Sequence, residues 1–182
     1  MRQIIFLTGY PGIGKTTVIK RVVNNLKSAG LNIGGFISYE VREKGRRVGF
    51  RILDLKTGRK GWLAHIKQPV GPRISKYKVN LKDLENVGVK SLENAIKEAD
   101  LIVVDEIGPM ELFSESFRIA VKKAIESDKA ILGTIHYKAR DPLIKMIKNR
   151  KGINIVEVTV ANRNDLPKTI LEKFSSLLTI SN

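Results

Sequence analysis

The residues 9–17, Gly9-Tyr10-Pro11-Gly12-Ile13-Gly14-Lys15-Thr16-Thr17, contain the spacing G-x-x-x-x-G-K-[ST] of a phosphate-binding loop. Glycines at 9, 12 and 14 let successive backbone N–H groups approach phosphate oxygens, and the positive end of a following helix faces the same anion. Lys15 supplies a point charge for β- and γ-phosphates, and the Thr16 hydroxyl is suited to ligate Mg²⁺. Thr17 offers a second hydroxyl near the α-phosphate. A glycine-rich turn carrying a stray lysine would share the composition but not the context of an apolar run before it and a helix after it.

A second constellation closes the run Leu101-Ile102-Val103-Val104-Asp105-Glu106, a buried strand ending in two carboxylates, the form of a Walker B element. In a parallel sheet its carboxyl end lies beside the phosphate loop. Asp105 can hold Mg²⁺ through water. Strand alternation sends Glu106 to the other side, where it can polarise a water for attack on the γ-phosphate. Glu111 reads as an acid favoured by a helix N-terminus.

Four more positions have two readings each. Thr134 and His136, at the end of a strand over 129–135, suit a γ-phosphate sensor or a strand terminus meeting water. Arg73, in a loop-like stretch over 68–80, could reach phosphates or simply be solvated. Asn162 and Arg163, after a strand over 153–160, could contact a base or its sugar. His65 has no metal-ligating partner at useful spacing, so zinc is not expected.

The surrounding elements must position these groups. Gln3 to Thr8 predicts a strand buried on both faces, and Val18, Ile19, Val22, Val23 and Leu26 predict a helix stopped by Gly30. Residues 36–66 alternate around the turns Lys44-Gly45-Arg46 and Lys56-Thr57-Gly58-Arg59, which predicts an inserted antiparallel meander whose arginines lie on its wet face. Leu92, Ala95, Ile96 and Ala99 mark a helix with Ser91 as N-cap, and Asp141-Pro142 opens another. The Asn164/Asp165 pair reads as the cap of a terminal helix. The fold class is therefore α/β, a mostly parallel central sheet flanked by helices, in one domain spanning 1–182.

Composition narrows the partners. The 182 residues carry 33 Lys+Arg against 18 Asp+Glu, a formal net charge of +15, but the cations are spread along the chain. Spread charge fits a solvated surface better than a nucleic-acid face, so nucleic acid is not the favoured partner. With no cysteine, disulfides and thiolate metal sites are excluded. Neither a long apolar run nor a leader pattern is present, so a cytoplasmic monomer away from membranes is expected. Abundant lysine and the absence of cysteine also hint at a thermophile.

Taken together, residues 9–17, the Gly35-Phe36…Glu40-Val41-Arg42…Gly49-Phe50 meander, Asp105-Glu106-Ile107-Gly108-Pro109-Met110-Glu111-Leu112, Thr134-Ile135-His136 and Asn162-Arg163 resemble the small THEP-type nucleoside-triphosphatases. Animal members of that family are called cancer-related nucleoside triphosphatases. The resemblance runs from the first strand to the last helix, and Asp-Glu-Ile-Gly-x-Met-Glu-Leu is its most specific part. It implies a RecA-like P-loop fold and slow, Mg²⁺-dependent hydrolysis of ATP, GTP, CTP and UTP to the diphosphate. Where the family often has arginine after the histidine, this chain has Tyr137-Lys138, with Arg140 further on.

A hydrolase leads, since Glu106 stands beside Asp105 and the sequence suggests no second substrate pocket. A nucleoside, nucleotide or polynucleotide kinase is the alternative, because a phosphate loop does not distinguish water from an acceptor hydroxyl. A nucleic-acid-binding ATPase is favoured only by charge. Lys15→Ala is predicted to remove about 2–4 kcal/mol of transition-state stabilisation, slowing phosphate release from ATP roughly a hundredfold or more. A variant keeping more than about half the wild-type rate would overturn the phosphate-loop assignment.

Overall fold

The computed structural model describes residues 2–178. Strand β1 (Ile4–Thr8) is buried along its whole length and runs into the phosphate loop, after which α1 (Lys15–Ser28) begins. Gly14 caps α1 at φ 113°, and Gly30 follows its end at φ 91°, backbone states that glycine adopts without a Cβ penalty. Next come β2 (Ile33–Glu43), β3 (Arg46–Asp54), β4 (Lys60–His65), β5 (Arg73–Ile74) and β6 (Tyr77–Val79). The hairpin between β2 and β3 turns on Lys44 and Gly45, both at positive φ, which matches the twist of the strands they join.

A continuous helical run follows, made of α2 (Leu81–Asp83), a π-helical stretch Leu84–Val89 and α3 (Lys90–Glu98). The chain then alternates β7 (Leu101–Ile107), α4 (Glu115–Glu126), β8 (Ala130–Ile135), α5 (Pro142–Asn149), β9 (Ile153–Glu157), α6 (Leu166–Lys173) and α7 (Ser175–Leu178). Among the described residues the nine strands form one sheet in the order β5-β6-β4-β3-β2-β7-β8-β1-β9. The block β2-β7-β8-β1-β9 is parallel, and β3 to β6 extend it antiparallel. This is the expected α/β architecture, with the meander joined edge-on to the parallel sheet through β2.

Strand alternation sorts the core into two layers. Ile4, Phe6, Phe36, Ile102 and Val104 face the side covered by α3, α4 and α5, whereas Ile5, Leu7, Leu101, Val103 and Leu132 face α1 and α6. Among the described residues no helix is long and apolar enough to cross a membrane.

Three local expectations change. Ser91 is no N-cap: it is buried in mid-run and donates to the Gly88 carbonyl at 2.7 Å. The cap is Asn80, whose Oδ1 accepts the Asp83 N–H at 3.0 Å, because burial of Leu84, Val87 and Val89 carries the helix a dozen residues earlier than the Leu92 stripe suggests. The stretch 68–80 is not all loop, since β6 pairs with β4 and returns to β5. The last strand stops at Glu157, where the Asn162 turn begins.

Close packing of β2 on β7 is permitted by Gly35, which sits at φ 91° opposite Val103 with no room for a Cβ against the Val103 carbonyl. Gly35→Ala should cost about 3 kcal/mol through strain and overpacking, read as a lowered urea midpoint at unchanged m-value. A loss below about 1 kcal/mol would show that the two strands can separate cheaply.

Candidate active site

The carboxyl ends of β1, β7 and β8 meet at Asp105. This side chain is only 2 % exposed, and both its oxygens are occupied by hydroxyl donors: Thr134 Oγ1 donates to Oδ1 at 2.6 Å and Thr16 Oγ1 to Oδ2 at 2.8 Å. Burial pushes the Asp105 carboxyl above its usual range, while the Thr134 and Thr16 hydroxyls and the nearby Lys15 and Lys20 charges oppose that rise. Thr16 lies in the first turn of α1, so one carboxylate ties the phosphate loop to the centre of the sheet. Lys15 Nζ donates to the loop carbonyls of Gly9 at 3.0 Å and Tyr10 at 3.3 Å, which holds its charge over the loop mouth.

Asp105, Glu106 and Glu111 all line one cleft with Gly9, Gly12, Gly14, Lys15, Thr16, Thr17 and His136. Simple alternation, which would send Glu106 to the opposite side from Asp105, fails here. The pairing of β7 with β8 shifts register between Val104 and Ile107. Burial, offset by the Lys15 charge and reinforced by Asp105, raises the Glu106 carboxyl to about 7.

Glu111 is the residue that the sequence misplaces. It belongs to a 3₁₀ turn, Glu111–Phe113, but is only 3 % exposed and faces Glu106 across Gly108. A Cβ on Gly108 would stand 3.0 Å from Glu106 Oε2 and 3.2 Å from Glu111 Oε2. Burial first, and the Glu106 charge second, push the Glu111 carboxyl well above the usual carboxylate range, against backbone hydrogen bonds at Glu111 and Gly108 that lower it. The legible clue was Gly108-Pro109, a chain reversal that folds the following residues back over the strand end.

The other candidates separate. Thr134 is fully buried and serves Asp105 directly. His136 lines the cleft with Nδ1 accepting the Ala139 N–H at 3.1 Å, and burial, then the Lys15 and Lys148 charges, lower its pKa. Arg163 lies beside the loop and donates to the Ile13 carbonyl at 3.4 Å. Asn162 spends its side chain on its own turn, accepting from Thr159 N–H at 2.8 Å and donating to the Glu157 carbonyl at 2.8 Å. Arg73 is exposed on β5 and does not line the cleft. Asp165 makes no side-chain cap bond, whereas Asp141 caps α5 through the Leu143 N–H at 2.8 Å.

The cleft is about 520 Å³ and reaches well beyond the loop, to Ser38, Tyr39, Glu40, Arg47, Phe50, Leu63 and Met110. Arg47 and Glu40, read from alternation as wet-face charges, help to form this wall. Arg47 Nε donates to Tyr77 Oη at 2.8 Å, and its guanidinium also bonds Glu40 at 3.3 Å.

The donor set suits magnesium. Thr16 and Asp105 offer only oxygen, and among the described residues no group of three or more His, Cys, Asp or Glu could cage an ion. A hard cation that keeps waters and takes its remaining ligands from phosphates fits such a site.

A glycine loop at a strand–helix junction, a lysine over it and a buried aspartate bonded to its threonine define a P-loop nucleotide-binding α/β protein. The model of the NTPase family matches residues 4–171, and the chain belongs to that family. It is 46% identical over 173 residues to the nucleoside-triphosphatase THEP1 of Thermofilum pendens, covering 94% of this chain and 95% of that one. With its counterpart from Thermotoga maritima it shares 48% over 167 residues, covering 92% of each. Among solved structures, THEP1 from Aquifex aeolicus superposes at a TM-score of 0.81 with 33% identity, covering 93% of this chain and 97% of that chain. A human cancer-related nucleoside triphosphatase also gives 0.81, at 37% identity, covering 97% and 98%.

Because folding raises the Glu106 pKa, the native state binds protons that the unfolded chain has released between about pH 4.5 and 7. Stability of the metal- and nucleotide-free protein should therefore fall as pH rises through that window. Glu106→Gln should be near neutral at pH about 4 and more stable than wild type by about 2 kcal/mol at pH about 8, measured by urea unfolding in chelator. Parallel pH profiles for the two proteins would contradict a buried, proton-binding Glu106.

Proposed function

We propose that the protein is a magnesium-dependent nucleoside-triphosphate phosphohydrolase, a hydrolase of acid anhydrides that converts NTP and water to NDP and phosphate with broad tolerance of the base. The observation that carries this reading is the buried Asp105 carboxylate bridging Thr16 and Thr134, with Glu106 and Glu111 beside it in the same cleft.

Residues 9–17 cradle the phosphates through backbone N–H groups, and Lys15 neutralises the β- and γ-oxygens. Thr16 would hold Mg²⁺ directly and Asp105 through water; when bound, the ion supplies charge to the developing phosphate oxygens. Thr134 keeps Asp105 oriented and favours its ionised form. Glu106 takes the proton of the attacking water, and a pKa of about 7 leaves it partly ionised yet basic enough to do so at neutral pH. Glu111, buried beside that carboxylate across Gly108, shapes the surroundings of the water-activating group.

Tolerance of ATP, GTP, CTP and UTP is consistent with the surroundings of Asn162. Its amide oxygen and nitrogen each make one bond to the backbone of its own turn, which holds the side chain there instead of leaving it free to turn toward a base edge. One folded unit is proposed for the domain organisation, since β2 belongs to both the parallel block and the meander.

Glu106→Gln keeps the shape of the side chain and removes its basicity. Turnover by phosphate release should fall about 10²–10⁴-fold while nucleotide affinity by calorimetry stays within a few-fold. Asp105→Asn should instead weaken magnesium dependence and turnover together. Wild-type turnover in Glu106→Gln would remove Glu106 as the base.

A further inference from the structure

The far end of the cleft is larger and more apolar than a site for one attacking water requires. β2 pairs with β7 only as far as Ile37 but continues with β3 to Glu43, so the meander rises past the carboxyl edge of the parallel sheet. There it forms a wall facing the loop, with Ser38 and Glu40 from β2, Arg47 and Phe50 from β3, Leu63 from β4 and Met110 from the turn after β7. Met110 also packs on the meander's own cluster around Tyr77, which makes this wall continuous with the strand bearing Asp105 and Glu106.

Its position relative to a bound triphosphate follows from the loop. The γ-phosphate lies at the end marked by Lys15, Asp105 and Glu106, and the α-phosphate and base run back past Thr17. Arg163, after β9, lies on the opposite side of β1 from β7 and the meander. The meander wall is therefore beyond the γ-phosphorus, on the side from which a nucleophile approaches in line.

We propose that this end of the cleft is an acceptor site for a nucleoside, whose 5′-hydroxyl takes the γ-phosphoryl group in competition with water. The proposal rests on the phosphohydrolase reading for its donor and its base. Phe50, Leu63 and Met110 offer an apolar seat for a planar ring, Ser38 offers a hydroxyl to the sugar, and Glu40, whose two oxygens already accept from Arg42 at 2.7 Å and Arg47 at 3.3 Å, has one further lone pair on each for a sugar hydroxyl. An uncharged acceptor is indicated because Arg47, the one cation among the described residues lining this wall, already has its Nε on Tyr77 Oη and its Nη1 on Glu40, a carboxylate it shares with Arg42. A nucleotide would bring a phosphate with no free cation to receive it. In the step, the acceptor oxygen bonds the γ-phosphorus as its bond to the β,γ-bridging oxygen breaks. The diphosphate leaves with that electron pair, and the hydroxyl proton passes to the Glu106 carboxylate and on to solvent.

The full chain is incubated with magnesium, γ-labelled ATP and each of adenosine, guanosine, cytidine and uridine, and the products are separated by thin-layer chromatography. Labelled nucleoside 5′-monophosphate should appear beside labelled phosphate with at least one nucleoside. Ser38→Phe, which fills the acceptor end, should lower the ratio of transfer to hydrolysis by at least about tenfold. Glu40→Gln, which changes no volume, should lower it at least about threefold, and circular dichroism verifies that both variants fold. Release of labelled phosphate with no labelled nucleoside phosphate overturns the acceptor site and leaves the hydrolase standing. Absence of both products overturns the hydrolase reading as well. A tenfold or greater rise in KM for ATP in Ser38→Phe at unchanged product ratio would give this wall to the donor's base and also overturn the proposal.

Discussion

A buried carboxylate with a hydroxyl on each oxygen is the constraint on which the rest of the site depends. Burial raises the Asp105 carboxyl, and the Thr134 and Thr16 hydroxyls oppose that rise, since an uncompensated charge in the interior costs several kcal/mol. Those two bonds also fix geometry: one comes from β8, the other from the first turn of α1. The phosphate loop is thereby tied at its helical end to the middle of the sheet, and at its start to β1, which pairs with both β8 and β9. A mobile anion cradle becomes a preorganised one, which is how fixed dipoles and charges contribute to catalysis without reorganising.

Electrostatics grade the cleft from end to end. Lys15 dominates one side, where its charge favours ionised Asp105 and Glu106 and disfavours a protonated His136. Moving away from it, burial gains over the lysine: the Glu106 carboxyl is raised to about 7, and Glu111, buried in the turn after β7, is also pushed up, by burial and the Glu106 charge. Three carboxyl groups in one cleft thus have different environments: Asp105 bonded to two hydroxyls, Glu106 near Lys15, and Glu111 buried against Glu106. The meander completes the gradient with an apolar wall and a Glu40 carboxylate shared by Arg42 and Arg47.

That wall is a product of strand length. β2 has eleven residues but only the segment Ile33–Ile37 is matched by β7, so the remainder must find its partner in β3 and carries the antiparallel strands above the edge. Gly35 and Gly34 make the close pairing possible where they abut Val103 and Ala95, and the bulge at Val41/Arg42 twists the free end. A loop-bearing sheet edge is thus converted into a two-sided cleft.

Much of this is written in local sequence. The phosphate loop, the buried strand ending in Asp105-Glu106, the β2–β3 hairpin at Lys44-Gly45 and the Asp141 cap depend on nearest neighbours and on periodicity, which one chain displays directly. Tertiary packing decided what distance along the chain conceals. Thr134 lies 29 residues from Asp105, and only the parallel pairing of β7 with β8 makes it the hydroxyl that serves that carboxylate. Glu111 looks like an ordinary helix-start acid until the Gly108-Pro109 reversal buries it against Glu106. Asn162, chemically able to read a base, is consumed by its own turn. Ser91 is an acceptable cap in isolation, yet burial of Leu84, Val87 and Val89 begins the helical run earlier. Alternation could not foresee a register shift between Val104 and Ile107, because such irregularities arise from fitting one strand to its neighbour. Residue types and spacing therefore determined which groups the protein has for phosphate chemistry, and the sheet's register decided which of them share a cleft and in what protonation state.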